Sequence, residues 1–170
     1  MDSQALIHRL AAGTAVFQGL VHGVSKDQAI WRPSPKKWSI LEVVNHLYDE
    51  EREDFRRRID LILHRTDADW PPIDPEGWVA SRDYGKREIE PSLRNFVEER
   101  EKSIAWLKEL GEVDWGTHKD HPAAGRMTAG DLLGAWAAHD YLHIRQLARL
   151  HYDYVSVLAE PHGTAYAGRW

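Results

Sequence analysis

Four stretches of the chain repeat their apolar residues at three- and four-residue intervals, and no other feature of the sequence constrains the fold as strongly. The second stretch begins with a capping box formed by Ser39 and Glu42, and Gly111 follows the third as a helix-ending glycine. The predicted helices cover residues 3–22, 39–64, 91–110 and 128–151. No stretch shows the alternating β-branched pattern of a strand bounded by turns. We therefore predict an all-α protein built as a four-helix bundle.

The connection between the second and third predicted helices is unusually long. Residues 65–89 hold three prolines, two glycines and the tryptophans Trp70 and Trp78, with little regular pattern. A connection of this length is usually functional or mobile, so these tryptophans are candidates for a lid over an apolar substrate. The alternative is a strap that covers one end of the bundle without taking part in chemistry. We expect residues 1–170 to form one domain. Residues 152–170 show no pattern that predicts a helix or a strand.

The composition limits the chemistry that the chain can perform. It contains ten histidines, eight tryptophans and no cysteine, so disulfides, thiolate metal sites and cysteine nucleophiles are excluded. The net charge of −5 predicts no basic face for nucleic acid or an anionic membrane. No signal-peptide pattern opens the chain, and no run approaches the ~20 apolar residues of a membrane span. We expect a cytoplasmic protein with neither nucleic acid nor membrane as a partner.

Three histidines are candidate metal ligands. His139 and His143 are four residues apart within the apolar stripe of the fourth predicted helix, so both imidazoles point from one face into the bundle. His46 lies at the inner edge of the second predicted helix, which must pack near the fourth. Three neutral imidazoles would leave coordination positions open, as in catalytic metal sites. Alternatively, the spacing of His139 and His143 arises by chance, and His46 only forms a hydrogen bond with Asp49 or Glu50.

Two other metal-site types do not fit these residues. Di-iron bundles use Glu-x-x-His on two helices, and the chain contains no such motif. Residues 139–143 have the histidine spacing of a zinc protease, but Asp140 stands where that motif carries its catalytic glutamate. Asp140 points away from His139 by about 100° around the helix, so we expect it to pair with a neighbouring helix.

Two motifs resemble the DinB/YfiT-like superfamily. The first is W-S-I-x-E-x-x-x-H-L-x-D-x-E over residues 38–51, and the second is H-D-x-x-H-x-x-Q over residues 139–146. A Trp-Arg-Pro element at residues 31–33 accompanies them, whereas residues 65–89 carry no part of the resemblance. The resemblance implies a four-helix bundle, often a homodimer, in which three histidines hold a divalent metal. On this chain the matching positions are His46, His139 and His143.

The resemblance defines the site better than the reaction. Members of the superfamily are similar to metal-dependent thiol transferases and isomerases that use bacillithiol, mycothiol or glutathione, or to hydrolases. We therefore expect an enzyme that uses Zn, Ni or Fe. It would either transfer a low-molecular-weight thiol to a small electrophilic substrate or hydrolyse that substrate. Because the chain has no cysteine, the thiol would come from a cofactor. The alternative is a dimeric metal-binding stress-response protein without catalytic activity.

Further residues are candidates for supporting roles. Glu50, four residues after His46, is a candidate general base or a hydrogen-bond partner of a metal ligand, and otherwise belongs to a solvated acidic run. Arg145 could bind an anionic group of the thiol cofactor or, more simply, pair with Asp49. The candidates for the substrate pocket are Trp136, Trp78 and His121. Alternatively, Trp136 only fills the core, Trp78 belongs to the strap and His121 is exposed to solvent.

Overall fold

The computed structural model describes residues 1–168 and 170 and confirms the predicted four-helix bundle. The bundle is formed by α1 (Ser3–Val21), a second helical rod, α6 (Ile89–Glu109) and α7 (Ala129–Leu158). The second rod consists of α3 (Ile40–Asp49), a π-helical turn π1 (Glu50–Phe55) and α4 (Arg56–His64). Helix α1 packs on α6 and α7, α3 packs on α6, and α4 packs on α7. None of the helices in the described part of the chain has both the length and the apolarity to cross a membrane.

Capping residues explain where the bundle helices begin. Ser39 and Glu42 form the predicted capping box before α3, and Thr128 with Asp131 forms a second one before α7. Helix α7 continues to Leu158, past the predicted end at residue 151. The predicted helix at 39–64 is continuous in the structure, but π1 interrupts its α-helical hydrogen bonding.

The π turn changes which residues face the core. A π turn places one extra residue in the helical turn, and such turns often occur at functional sites. In π1 the adjacent residues Glu50 and Glu51, and later Asp54 and Phe55, are all buried. The acidic run is therefore part of the interior rather than a solvated surface.

Two connections differ from the predictions. Residues 65–89 are only partly irregular, because residues 65–74 form no helix or strand but α5 (Pro75–Ser81) and a 3₁₀ turn at Tyr84–Lys86 follow. The prediction that the chain has no strand was wrong: β1 (His118–His121) pairs antiparallel with β2 (Gly125–Thr128). Each strand has only four residues and β1 reads His-Lys-Asp-His, so neither carries the apolar alternation that identifies strands. A short helix, α2 (Lys26–Ile30), was also not predicted.

A buried layer of charge separates two apolar clusters of the core. One cluster includes Phe17 and Phe96, and the other includes Leu10 and Ile104. Between them Arg100 of α6 binds Glu51 of π1 and Asp140 of α7, and the side chains of all three are at most 4% exposed. The expected partner of Asp140 on a neighbouring helix is thus confirmed. Gly13 of α1 allows a close approach there, since a Cβ atom at this position would lie 2.9 Å from the Asp140 carboxylate.

Candidate metal centre

The three candidate histidines converge on one point between α3 and α7. The Nε2 atom of His139 lies 3.0 Å from Nε2 of His143 and 3.4 Å from Nε2 of His46. One ring nitrogen from each histidine lies within 4.8 Å of the other two. The i, i+4 spacing on α7 supplies two imidazoles, and the packing of α3 on α7 brings in the third. The sequence prediction of this grouping agrees with the observed geometry.

Burial keeps these imidazoles neutral. It lowers the pKa of His46 to about 3, with a further contribution from repulsion by His143. Burial also lowers the pKa of His139 to about 2, helped by the charges that His143, His46 and Arg100 can carry. The pKa of His143 is lowered by burial, although its hydrogen bond to Gln146 opposes this shift. Neutral imidazole is the form that binds metal ions.

In two of the imidazoles, the ring nitrogen that points away from the cluster faces a specific partner. Nδ1 of His143 lies 2.8 Å from Oε1 of Gln146, and since this oxygen can only accept, Nδ1 donates and Nε2 keeps its lone pair. Nδ1 of His46 lies 3.8 Å from Oε1 of Glu50. Both of these atoms are buried and have no hydrogen-bond partner among the described residues. Gln146 was not predicted to take part in the site, although it occupies the last position of the H-D-x-x-H-x-x-Q motif.

The donor set fits a divalent metal ion. Nitrogen ligands bound tetrahedrally to one zinc ion at 2.0–2.1 Å lie about 3.3 Å from each other. Two of the three separations, 3.0 and 3.4 Å, bracket this value, and all three ligand nitrogens lie within 4.8 Å of one another. Without a bound ion, the lone pairs of the three nitrogens would face each other. Only a proton shared between two of them could then reduce the repulsion. The arrangement can therefore hold a cation on one side and leave the other side open.

The opening leads to a groove of about 980 Å³ lined by all three histidines. Trp38 forms part of its wall, with its ring centroid 4.8 Å from that of His46. Behind the cluster Phe55 packs on His139, with ring centroids 5.2 Å apart. Aromatic side chains thus hold the imidazoles from two sides, while the groove gives a small molecule access to Nε2.

Glu50 and Arg145 both lie near the cluster. Glu50 is buried beside His46 rather than solvated. Its burial, followed by the neighbouring Asp54 carboxylate, raises the pKa of Glu50 to about 8. Arg145 lines the groove with the histidines. It does not form the predicted pair with Asp49, which instead binds Arg52, Arg82 and Tyr84.

The three residues predicted for a substrate pocket do not line this groove. Trp136 is 1% exposed, stacks on Phe55 and donates from Nε1 to Glu51, so it supports the cluster from behind. Trp78 is buried in α5 beneath the guanidinium of Arg82. His121 ends β1, where its Nδ1 accepts hydrogen bonds from the turn of the hairpin. Helix α5 contacts α3, and the hairpin strands β1 and β2 contact α4 and α7, respectively.

Comparison with known proteins identifies the family and agrees with the fold. The family model described as the DinB superfamily matches residues 9–147, a range that includes all three histidines. The protein "Putative metal-dependent hydrolase OB0782" of Oceanobacillus iheyensis is 26% identical over 114 residues. That match covers 66% of this chain and 64% of the relative, so the chain matches less than two thirds of the relative's length.

A solved structure gives independent support for the fold. YfiT from Bacillus subtilis, described as "a probable metal-dependent hydrolase with an unusual four-helix bundle topology", superposes with a TM-score of 0.77. The superposition covers 87% of this chain and 85% of YfiT at 22% sequence identity. The family match spans most of the chain, and the chain belongs to the DinB superfamily.

Proposed function

We propose that the protein is a metal-dependent hydrolase of a small molecule, with a divalent metal ion held by His46, His139 and His143. The observation that carries this proposal is the convergence of three neutral imidazoles at the floor of an open groove. The descriptions of the Oceanobacillus iheyensis relative and of YfiT as metal-dependent hydrolases support it. Three nitrogen ligands do not select among Zn, Ni and Fe, so we propose a divalent ion without specifying which.

The chain's own residues prepare the site in three ways. A divalent ion with an open position acts as a Lewis acid and makes water a nucleophile near neutral pH. Gln146 accepts from Nδ1 of His143 and thereby holds its Nε2 unprotonated toward the cluster. Trp38 and Phe55 limit rotation of His46 and His139. The groove is lined by residues of α3 and α7 and of the segment before α3, and the three histidines are among them.

We assign Glu50 a positioning role rather than that of the general base. His46 directs Nε2 toward His139 and Nδ1 toward Glu50, so the carboxyl group lies on the side of the ring opposite the cluster. A base has to reach the water or the substrate within hydrogen-bond distance, whereas Glu50 does not line the groove. An ionised Glu50 that closed the 3.8 Å gap to Nδ1 would orient the His46 ring and increase its basicity, as a carboxylate does beside the distal nitrogen of a metal-binding histidine.

The proposed function predicts hydrolysis that depends on both metal and the cluster. Metal-free protein would be compared with protein loaded separately with Zn²⁺, Ni²⁺ and Fe²⁺, using small nitrophenyl esters of carboxylic and phosphoric acids as probes. We expect turnover in at least one metal-loaded form, and a loss of at least about 100-fold in His46→Ala because an open coordination site needs its ligands. His64→Ala is the matched control, since His64 is exposed and pairs with Asp60 on α4. Equal hydrolysis by metal-free protein, or an equal loss in His64→Ala, would contradict the proposal.

The same experiment separates hydrolysis from the thiol-transferase alternative. A parallel series supplies bacillithiol, mycothiol or glutathione together with chlorodinitrobenzene. Thiol transfer requires metal-dependent consumption of both the thiol and the electrophile, because the chain has no cysteine of its own. Ester hydrolysis without added thiol supports the proposed function. Metal binding without turnover in either series supports the non-catalytic metal-binding alternative instead.

Gln146 provides a prediction that tests how the site is positioned. Gln146→Leu is expected to lower metal affinity about 10- to 100-fold, because Nδ1 of His143 loses the acceptor that fixes its tautomer. Gln146→Glu keeps an acceptor and is expected to retain metal affinity. Affinities would be measured by competition with a chromophoric chelator at constant pH. A Gln146→Leu protein that binds metal as tightly as the native chain would show that the hydrogen bond has no such role.

A further inference from the structure

The groove above the cluster concentrates positive charge in a chain whose net charge is −5. Lys37, Arg145 and Arg149 line it, together with the single acidic side chain of Asp153. Nε of Arg149 donates to Asp153 at 2.8 Å, so one of these cations is neutralised locally. Among the ion pairs of residues 1–168 and 170, none includes Lys37 or Arg145. Two cationic side chains in the groove are therefore available to a ligand.

These cations lie at the mouth and the histidines lie at the floor. Lys37 and Arg145 are exposed, whereas His46 and His143 are buried. Between mouth and floor the groove also presents apolar surface, including Trp38 and the exposed Leu142. A guanidinium group can form two parallel hydrogen bonds with a carboxylate or a phosphate, and an ammonium group adds a point charge.

We propose that the groove selects small anionic molecules, and that Lys37 and Arg145 are the specificity-determining residues. The ligand has an anionic oxygen group, which is a carboxylate or a phosphate, joined to an apolar body. Lys37 and Arg145 hold the anion at the mouth, the apolar body packs against Trp38, and the opposite end reaches the histidines. This inference rests on the proposed function for the reaction at the floor, but the recognition step needs no metal and can be tested without it.

The test is equilibrium binding of benzoate, phenyl phosphate and benzamide to metal-free protein by titration calorimetry at low ionic strength. We expect at least one of the two anions to bind more tightly than neutral benzamide, and increasing salt to reduce the difference because exposed charges are screened. Lys37→Gln and Arg145→Gln are each expected to weaken binding of that anion about fivefold, the order of an exposed charge pair. Binding of benzamide should not change in either variant.

The neighbouring residue provides the control. Lys36→Gln removes the same charge one residue away. Lys36 lines a neighbouring cleft that Lys37 also borders, but it does not line the groove, so anion binding should be unchanged. Equal affinity for benzamide and both anions, or an equal loss in Lys36→Gln and Lys37→Gln, would overturn the inference. Phenyl phosphate binding more tightly than benzoate identifies phosphate as the anionic group, and the reverse identifies carboxylate. Anion selectivity without hydrolysis by any metal-loaded form would refute the proposed function and leave the groove inference standing.

Discussion

Replacing Arg100 by methionine is expected to lower the free energy of unfolding by about 3–5 kcal/mol. Arg100 donates from Nε to Glu51 at 2.7 Å and from Nη1 and Nη2 to Asp140 at 2.7 and 2.8 Å. Its guanidinium is 1% exposed, so water cannot replace these bonds when the side chain is removed. The variant would retain two buried carboxylates with no positive charge to compensate them, and this is the cause of the expected loss.

Local contacts show that this cation is fixed in its charged state. Burial by itself acts to lower the pKa of Arg100, but the adjacent Glu51 and Asp140 carboxylates raise it above its ordinary value. Nη1 also donates to the backbone oxygen of Leu10 at 3.1 Å, which joins α1 to the same group. Arg100 thus connects α1, π1, α6 and α7 in the layer next to the histidines.

The measurement is urea denaturation of metal-free protein, with circular dichroism as the readout. Arg57→Met is the surface control: Arg57 is half exposed and its pair with Glu53 is 3.4 Å long, so we expect a change below about 1 kcal/mol. Adding Glu51→Gln and Asp140→Asn to Arg100→Met should recover much of the lost stability, because no unpaired charge then remains in the core. An Arg100→Met protein within about 1 kcal/mol of the native chain would contradict this account of the core.

The bundle could be predicted because its signals are local. Capping residues and apolar stripes defined the four helices, and their observed starts differ from the predicted ones by at most two residues. The hairpin could not be predicted from β1, since His118 to His121 contains no apolar residue and the strand depends on pairing with β2. The π turn was also invisible, because it widens the helix without changing which residue types occur in it.

The candidate site was predictable where it depends on helical spacing and not where it depends on packing between segments. His139 and His143 follow from their spacing on α7 and His46 from its place at the inner edge of the second predicted helix, and the resemblance implied all three as ligands. Trp78 was a candidate for the pocket only because its connection looked irregular, whereas α5 buries it beneath Arg82. The predicted pair of Arg145 with Asp49 was wrong, because Asp49 binds Tyr84, Arg82 at the end of α5 and Arg52 in π1.

His139→Ala is expected to lower the affinity for a divalent metal by more than about 100-fold. His139 is the central ligand candidate, since its Nε2 atom lies within 3.4 Å of the Nε2 atoms of both His46 and His143. Loss of a hydrogen-bond partner of a ligand already costs 10–100-fold in affinity, so loss of a ligand should cost more. Chelator competition measures the affinity, with His64→Ala as the exposed-histidine control. Circular dichroism of the metal-free proteins checks that both variants fold.

The claim that three imidazoles hold one metal ion is tested most directly by anomalous diffraction at the zinc absorption edge, from crystals of the zinc-loaded native protein. The account predicts one anomalous peak at about 2.0–2.1 Å from Nε2 of His46, His139 and His143. The same crystals of zinc-treated His139→Ala should lack that peak. A native map with no peak among the three histidines, or with its peak at the acidic residues of π1 instead, would contradict the assignment.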